Sequence, residues 1–376
     1  MGWIHEEIHY DCKHYRGEKP CVYRVNCPYC VHYLPMGYRV LIFKVGAMGD
    51  VLRTTAILPS LAADLASKTD GNIHVTWVVD PPNIPLLENN PYIDRLWTVD
   101  EETRLRLLVE KFDLALCFDK DPRCLALMTT CQAETKRGFV MGPEGTLRIA
   151  NPESENALLL GLSDYFKFEK CEKTYQQIAH EMAKLGDAGE LYVLHFTDEE
   201  RVDAQARLHD LGAVRRPLIG INTGAGNVFP GKRWAKEKFA AAGRELAAKT
   251  GGTIVLLGGP DEVERNAWIA AQIGSACVDL GCDNPLRRFA AMVGLLDMVL
   301  TGDTMAMHVA LAGKVPVVVL FGPTPHREVA VDARSEKIFR APAGDLVMAR
   351  VTEAESTIQL IEVDEVVAAC LRVLGR

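Results

Sequence analysis

The candidate base is Asp50, which ends the segment Val-Gly-Ala-Met-Gly-Asp at residues 45–50. Gly46 and Gly49 let the backbone turn tightly and come close to a substrate, and the carboxylate stands at the mouth of a predicted sheet. Such a group could accept the proton of a nucleophile, or it could cap a helix that begins at Val51, and the two roles are compatible. Because the glycines are three residues apart, the segment lacks the G-x-G-x-x-G spacing of a dinucleotide-binding turn.

A second stretch has the composition of an anion-binding loop. Residues 223–226, Thr-Gly-Ala-Gly, precede Lys232, Arg233 and a predicted helix over residues 235–249. Small residues expose backbone N–H groups, Thr223 adds a hydroxyl, and Lys232 adds positive charge where the helix dipole already favours anions. The pattern predicts a diphosphate site that requires no metal, with Arg233 as a further candidate. The alternative is an ordinary loop with an exposed lysine.

Acidic residues also follow the predicted strand over residues 253–257. Asp261, with Glu262 as the alternate, stands where a carboxylate can accept hydrogen bonds from both hydroxyls of a ribose. The structural alternative is a residue that caps the next helix.

The stretch over residues 301–325 predicts a strand end, a short helix over about 305–311 and a buried strand over 315–321. Asp303 or Thr304 can cap the helix and leave its first backbone N–H groups facing a ligand. His308 lies one turn after Thr304, on the same face. It could orient Asp303 or contact phosphate, or it could be a purely structural histidine.

Four cysteines cluster near the start of the chain: Cys12, Cys21, Cys27 and Cys30. Cys27 and Cys30 form a C-x-x-C pair, whose two thiolates can converge on one metal, and the other two could complete a tetrahedral site for zinc or iron. His5, His9, His14 and His32 could each replace one ligand. Free or disulfide-linked cysteines and a redox role are the alternatives.

Strands and helices alternate from residue 39 onward, which predicts parallel, doubly wound sheets. The predicted strands cover residues 40–45, 73–79, 96–99, 114–118, 136–139, 218–222, 253–257, 276–279, 298–301 and 315–321. The predicted helices cover residues 51–65 with a kink near Pro59, 102–111, 123–131, 174–185, 198–211, 235–249 and 363–374. A domain boundary is expected within residues 186–192, where glycines interrupt the helical pattern.

Length and composition suit a two-domain enzyme. The chain has 376 residues, 48% of them hydrophobic and 24% charged. A net charge of -8 and a pI near 5.7 give no electrostatic case for nucleic-acid binding. The first residues lack the pattern of a signal peptide, and no apolar run is long enough to span a membrane, so the expected location is the cytoplasm with reduced thiols.

Residues 40–61, 219–234 and 301–325, in this order and at these separations, resemble glycosyltransferase family 9, the ADP-heptose heptosyltransferases of lipopolysaccharide biosynthesis. The likeness extends from about residue 38 onward, and the cysteine-rich head lies outside it. The resemblance implies an α/β protein with the GT-B fold, in which two Rossmann-like, doubly wound domains face each other across a cleft. The expected parts are a head over residues 1–36, an acceptor domain over 37–188, a nucleotide-sugar domain over 189–360, and a helix over 361–376 that packs back on the first domain.

The resemblance also implies roles for the donor-binding residues. Thr223 and Lys232 would contact the ADP phosphates, and Asp261 would hold the ribose. Asp303 would hold hydroxyls of the sugar, while the amides of residues 304–306 would meet the diphosphate. Family members usually have glycine where this chain has Met305, which adds bulk beside the sugar pocket. The backbone near Asn284 lies where the family contacts adenine.

By the same resemblance, Asp50 would be the general base of an inverting transfer that needs no metal, and Gly46 and Gly49 would let the acceptor approach. Lys120 and Arg123 could meet phosphates of the acceptor, or they could belong to a solvated turn. The expected donor is an ADP-sugar, and the expected acceptor is a glycan, a lipopolysaccharide core above all, reached from the inner face of the cytoplasmic membrane. A nucleotide-sugar epimerase and a non-catalytic assembly protein remain alternatives.

Overall fold

The structure is a computed structural model that describes residues 8–17, 21–25, 27, 30–186, 189, 192–226, 229–340 and 351–375. Three of the sequence predictions fall at least partly outside these residues. His5 and the two residues between Cys27 and Cys30 lie outside them, and so do residues 187, 188, 190 and 191 of the expected domain boundary.

The first half of the chain alternates strands with helices. In order along the chain these are β1 (Tyr38–Phe43), α1 (Met48–Thr54), α2 (Ile57–Ala66), β2 (Ile73–Val78), α3 (Ile84–Leu87), β3 (Arg95–Trp97), α4 (Glu101–Leu107), β4 (Lys111–Cys117), α5 (Pro122–Thr130), β5 (Gln132–Met141), β6 (Leu147–Ile149), α6 (Glu155–Leu162) and α7 (Tyr175–Ala183). A π-helical turn over Phe166–Lys170 lies between α6 and α7.

The second half repeats the alternation. Its elements are α8 (Asp198–Asp210), β7 (Leu218–Asn222), α9 (Lys236–Thr250), β8 (Thr253–Leu257), α10 (Val263–Ile273), β9 (Cys277–Asp279), α11 (Leu286–Val293), β10 (Met298–Gly302), α12 (Met305–Ala312), β11 (Val317–Phe321), β12 (Glu336–Phe339) and α13 (Val363–Val373). Short 3-10 turns at Pro230–Lys232, Pro260–Glu262 and His326–Glu328 follow strands of this half.

Each half forms one six-stranded sheet. The first has the order β3-β2-β1-β4-β5-β6 and is parallel except for the antiparallel pairing of β5 with β6. The second has the order β12-β11-β10-β7-β8-β9 and is parallel throughout. The strand order changes direction between β1 and β4 in the first sheet and between β7 and β10 in the second. Ligands of open α/β sheets bind beyond the carboxyl ends of the strands at such a point.

The chain divides into two compact units. The first comprises residues 1–46, 56–155 and 179–190, and the second comprises residues 47–55, 156–178 and 191–376. Helix α1, which follows β1 along the chain, therefore belongs to the second unit, where it packs against α12. This grouping places Asp50 in the same unit as the predicted donor-binding residues.

The predicted doubly wound architecture is confirmed, and most elements lie within a few residues of their predicted bounds. Strands β7 and β8 have the predicted limits. The predicted helix over residues 51–65 is two helices, broken at residues 55–56 rather than at Pro59, because proline is accepted in the first turn of α2. Six elements were not predicted from the sequence: α3, α6, α10, α11, β6 and β12.

Helix α13 completes the core of the second unit, and its expected contact with the first domain stays a prediction. It packs against α9 and β11 within the second unit. Its Val366, Val367 and Cys370 are buried in the same hydrophobic core as Ile219 of β7 and Trp234. This apolar face anchors the end of the chain to the sheet that carries the predicted donor site.

Candidate active site

The loop after β7 is tied to the start of α12 by a buried amide. Asn222 Nδ2 donates to the carbonyl of Gly224 at 3.0 Å and to the hydroxyl of Thr304 at 3.1 Å. Thr223 is buried, and its hydroxyl donates to Asn266 Oδ1 of α10 at 2.5 Å. The side chains of Asn222 and Thr223 therefore fix the shape of this loop.

Lys232 and Asp303 form the central ion pair of the second unit. Lys232 Nζ lies 2.8 Å from Asp303 Oδ2 and 3.3 Å from the backbone carbonyl of Asp303, and the two side chains are 19% and 18% exposed. Burial raises the pKa of Asp303, but the charge and hydrogen bond of Lys232 outweigh it, so the net shift is downward. Asp303 is therefore an ionised carboxylate at neutral pH, and the structure brings these two predicted donor residues together.

The first turn of α12 is not capped by a side chain. Thr304 is the N-cap residue, as predicted, but its hydroxyl makes no capping bond and meets that of Thr301 at 3.1 Å instead. Because the first N–H groups of a helix have no partner within the helix, they can donate hydrogen bonds to an anion. Met305, at the first helical position, is half-buried beside them.

His308 is buried and packed against α1. Its Nδ1 lies 3.1 Å from the hydroxyl of Tyr192, and a Cβ atom placed on Gly49 would lie only 2.3 Å from its Cδ2. Burial lowers the pKa of His308 to about 4, so the ring is neutral at pH 7. The charges of four further side chains act on that pKa: Arg53, Asp303, Asp50 and Lys232.

Asp50 lies in the first turn of α1, whose N-cap residue is Ala47, so the alternative of a helix cap is wrong. Its carboxylate is 37% exposed, and its Oδ1 lies 2.8 Å from Arg53 Nη2. Arg53 itself is only 14% exposed, and its guanidinium stacks on the ring of Tyr175 at 3.8 Å from the centroid. Arg53 Nη1 lies 3.9 Å from Glu328 Oε2.

Two acidic residues flank the glycine loop after β7. Glu262 is buried, with its carboxylate accepting from Gly259 N at 2.9 Å, and a Cβ atom on Gly224 would lie 2.0 Å from that carboxyl group. Gly224 is thus required by the close approach of Glu262. Asp261 is exposed, and its Oδ2 lies 4.0 Å from the Cβ position of Gly226, which has a left-handed φ of +61°. Of the two carboxylates, Asp261 is the one that a solvent-borne ribose can reach.

Arg233 has a structural contact. Its Nη2 donates to the carbonyl of Gly226 and so ties the glycine loop to the segment before α9. Asn284 likewise uses its amide to hold its own loop, donating to the carbonyls of Leu280 at 2.9 Å and Gly281 at 3.0 Å.

The predicted acceptor residues of the first unit are tied to structural partners. Asp119 is buried and its Oδ2 accepts from Val45 N at 2.9 Å, from Lys44 Nζ at 3.2 Å and from Gly46 N at 3.3 Å. Gly46 has room for a side chain, since a Cβ atom there would lie 3.8 Å from Asn83 Nδ2. Packing within the protein therefore requires a glycine at position 49 but not at position 46, and the approach of an acceptor to both glycines stays a prediction.

The basic pair of this unit is similarly engaged. Arg123 is exposed, and its Nη2 donates to Asp121 at 2.8 Å and to Asp80 at 3.1 Å. Lys120 is exposed, with its Nζ over the ring of Phe139 at 5.2 Å. The Nε and Nη2 groups of Arg123 are thus engaged by carboxylates of the same unit.

The eleven cysteines are free thiols, which excludes the disulfide alternative for the four in the head. The backbone N–H groups of Tyr15, Arg24 and Cys30 donate to the carbonyls of Cys12, Cys21 and Cys27 at 2.9, 2.9 and 3.0 Å, and the backbone N–H of His32 donates to Cys30 Sγ at 3.4 Å. Among the described residues, which include all four head cysteines, no three His, Cys, Asp or Glu side chains form a group that could hold a metal. As placed, these thiols do not fit a metal site.

Five residues that shape the site were not predicted from the sequence: Arg53, Tyr175, Tyr192, Asn222 and Glu328. Arg53 and Asn222 are next to predicted features, but nothing in the local sequence distinguishes them from an exposed helix cation and a strand-end amide. Tyr175, Tyr192 and Glu328 reach α1 or α12 from distant parts of the chain.

In the part of the chain that the structure describes, no helix is long and apolar enough to cross a membrane.

Comparison with known sequences agrees with the motifs. Residues 174–356 match the model of glycosyltransferase family 9 (heptosyltransferase). The lipopolysaccharide heptosyltransferase 2 of Salmonella typhimurium is 32% identical over 113 residues, which are 29% of this chain and 32% of that protein. The matched region thus spans about a third of the curated relative.

Solved structures extend the likeness to most of the fold. A family 9 glycosyltransferase from Veillonella parvula superposes with a TM-score of 0.69 at 20% identity, covering 90% of this chain and 97% of that one. The E. coli heptosyltransferase WaaC, solved with ADP, gives a TM-score of 0.54 at 17% identity over 84% of this chain and 95% of its own. The resemblance to the heptosyltransferase family is confirmed: the chain has the GT-B fold, and its residues 174–356 match the model of glycosyltransferase family 9.

Proposed function

We propose that the protein is an inverting glycosyltransferase that moves a heptose or a related sugar from an ADP-sugar to a glycan acceptor, with a lipopolysaccharide core as the first acceptor to test. The observation that carries the proposal is a convergence of charge in the second unit. Lys232 Nζ lies 2.8 Å from Asp303 Oδ2 just before α12, and His308 of α12 packs against Gly49, the residue before Asp50 in α1. Relatives of this chain carry the heptosyltransferase name, and WaaC was solved with ADP.

The donor diphosphate would lie at the uncapped first turn of α12. Lys232 Nζ, now paired with Asp303, would supply the positive charge, and the N–H groups at the start of α12 would supply directed hydrogen bonds. Asp303 would then accept hydrogen bonds from the sugar hydroxyls. Asp261 is the exposed carboxylate available for the ribose. The hydroxyl of Thr223 donates its proton to Asn266, so its proposed contact with phosphate would use the backbone N–H, or the hydroxyl would have to turn away from Asn266.

In the transfer step, the carboxylate of Asp50 would accept the proton of the acceptor hydroxyl. The hydroxyl oxygen would form a bond to the anomeric carbon while the bond from that carbon to the ADP oxygen breaks. The bonding electrons leave with ADP, whose charge the Lys232 ammonium and the α12 amides stabilise. A diphosphate leaves without a proton, so one carboxylate suffices and the anomeric configuration inverts.

Replacement of Asp50 with Asn tests the proposal. With ADP-heptose and a heptose-deficient lipopolysaccharide core, we expect ADP release by Asp50→Asn to be slower by roughly 10²- to 10⁴-fold, because a general base is lost. Binding of ADP should be unchanged. Equal rates for the variant and the wild type would refute the base assignment. Conversion of the donor sugar without any acceptor would point to an epimerase, and ADP binding without turnover would point to a non-catalytic protein.

The acceptor contacts and the location are also proposals. Lys120 and Arg123 are proposed to contact acceptor phosphates, and the reaction is proposed to occur at the cytoplasmic face of the inner membrane. The head cysteines remain a predicted zinc or iron site, although their thiols do not converge. Metal analysis of the purified protein, with Cys27→Ser as the comparison, decides between a bound metal and free thiols.

A further inference from the structure

Arg53 occupies the space between two carboxylates on different elements. Its Nη2 lies 2.8 Å from Asp50 in α1, and its Nη1 lies 3.9 Å from Glu328 in the turn after β11. The Arg53 and Glu328 side chains are each 14% exposed, whereas Asp50 is 37% exposed. The Arg53 guanidinium therefore lies between a largely buried carboxylate, that of Glu328, and a more exposed one, that of Asp50.

The ring of Tyr175 packs against one face of the Arg53 guanidinium and fixes its orientation. Its guanidinium carbon lies 3.8 Å from the centroid of Tyr175 in α7. The Tyr175 hydroxyl meets Thr54 Oγ1 at 2.8 Å, and that same oxygen donates to the carbonyl of Asp50 at 2.6 Å. The ring is thus tethered to the helix that carries Asp50, and stacking of this kind confines a guanidinium to one plane.

The hydrogen-bonding capacity of Arg53 is not exhausted. Its Nε is buried and has no hydrogen-bond partner among the described residues, and the contact with Glu328 is long for a hydrogen bond. Its nearest strong bond is therefore the one to Asp50. The other titratable or charged groups that act on Arg53, His308 or Glu328 from the surrounding elements are Tyr192, Asp303, Lys232 and Lys167.

We propose that Arg53 is a positioning residue that holds the Asp50 carboxylate in place, and that Glu328 limits how strongly Arg53 holds it. The inference rests on the proposed function, in which Asp50 accepts the proton of the acceptor. The Asp50 carboxylate must be ionised before the reaction and must still accept a proton during it. A guanidinium paired with Asp50 alone would keep the carboxylate ionised but would also lower its affinity for a proton. Because Arg53 is shared with Glu328, Asp50 stays ionised and keeps more of its proton affinity.

The proposal predicts opposite effects for two substitutions. Arg53→Met removes the cation but keeps an unbranched stem, so protonation of Asp50 becomes easier and its titration midpoint moves to higher pH. Glu328→Gln removes the competing carboxylate with little change in shape, so the midpoint moves to lower pH. Arg53→Lys keeps the charge without the planar fork and should lie between the wild type and Arg53→Met.

The midpoint is measured by carboxyl ¹³C NMR of the full chain, with the Asp50 signal assigned by its absence from Asp50→Asn. Shifts of opposite sign for Arg53→Met and Glu328→Gln support the proposal. No shift in either variant, or shifts of the same sign, would overturn it. If Arg53→Met does not fold, Glu328→Gln decides alone, and an unchanged or raised midpoint rejects the proposal.

Kinetics separate this inference from the proposed function. With ADP affinity within about twofold of the wild type, we expect kcat of Arg53→Met to fall roughly tenfold or more, and the acidic limb of its pH profile to move to higher pH. A purely structural role would lower the amount of folded protein without moving that limb. If Asp50→Asn keeps full activity, the base assignment fails, whereas the NMR midpoints still report on the contact of Arg53 with Asp50.

Discussion

The carboxyl edges of the two sheets use their charged residues differently. In the first unit, the loop after β1 is closed by Asp119, and both Asp119 and Lys44 are less than a tenth exposed. In the second unit, Lys232 and Asp303 pair at the same edge of their sheet but remain nearly a fifth exposed, and the adjoining first turn of α12 has no side-chain cap.

We infer from this difference that charged residues stabilise a loop at the edge of the first sheet and are available to a ligand at the edge of the second. A buried, fully paired charge stabilises a loop, and it cannot be exchanged for a ligand without a large loss of free energy. A partly exposed pair beside free N–H groups can exchange one partner for an anion. We therefore expect substitutions at the first edge to change stability, and substitutions at the second edge to change nucleotide binding.

The largest effect is expected for Asp119→Ala. It removes the carboxylate that pairs with the buried Lys44 ammonium and accepts from the N–H groups of Val45 and Gly46, so we expect the free energy of unfolding of the first unit to fall by about 3–5 kcal/mol. Urea unfolding measures the change. Asp64→Ala, which breaks the exposed pair with Lys68, is the control and should cost less than about 1 kcal/mol. Similar losses in both variants would remove the distinction between buried and exposed pairs.

Next in size is Gly49→Ala. The new methyl group would overlap the ring of His308 and force α1 and α12 apart, at a cost of about 1–3 kcal/mol in thermal or urea unfolding. Gly46→Ala is the matched control, because its Cβ atom has 3.8 Å of clearance and should be tolerated. A neutral effect of Gly49→Ala would mean that the two helices are not packed as described.

A smaller, pH-dependent effect is expected from the buried histidines. His74 in the first unit and His308 in the second each have a pKa lowered to about 4, mainly by burial. Between pH 4 and 6.5 the unfolded chain binds protons that the folded chain does not, so stability is complete above about pH 6.5 and falls as the pH drops towards 4. His308→Gln should reduce this loss in acid unfolding curves and leave the contribution of His74. An unaltered pH dependence would contradict the burial of His308.

The fold could be predicted because its signals are local. The apolar runs of β7 and β8 and the glycines and prolines that follow them lie within short windows, and these strands have the predicted limits. Asp303 could be singled out because it directly follows β10, and Lys232 because it stands between the glycine loop after β7 and the start of α9. Arg53 was missed because its surroundings, Tyr175 and Glu328, come from elsewhere in the chain. The spacing of the N-terminal cysteines predicted a metal site, but among the described residues their thiols do not form a group that could hold a metal.

Isothermal titration with ADP, without divalent metal, tests the central claim most directly. We expect Lys232→Ala to weaken ADP binding by about 1.5–3 kcal/mol, as for loss of a charge-assisted contact. Lys236→Ala, a neighbouring lysine that lies over the ring of Trp268, and Arg123→Ala at the edge of the first unit should bind ADP as the wild type does. If ADP does not bind, or if Lys232→Ala binds it as well as these controls, the second edge is not the nucleotide site.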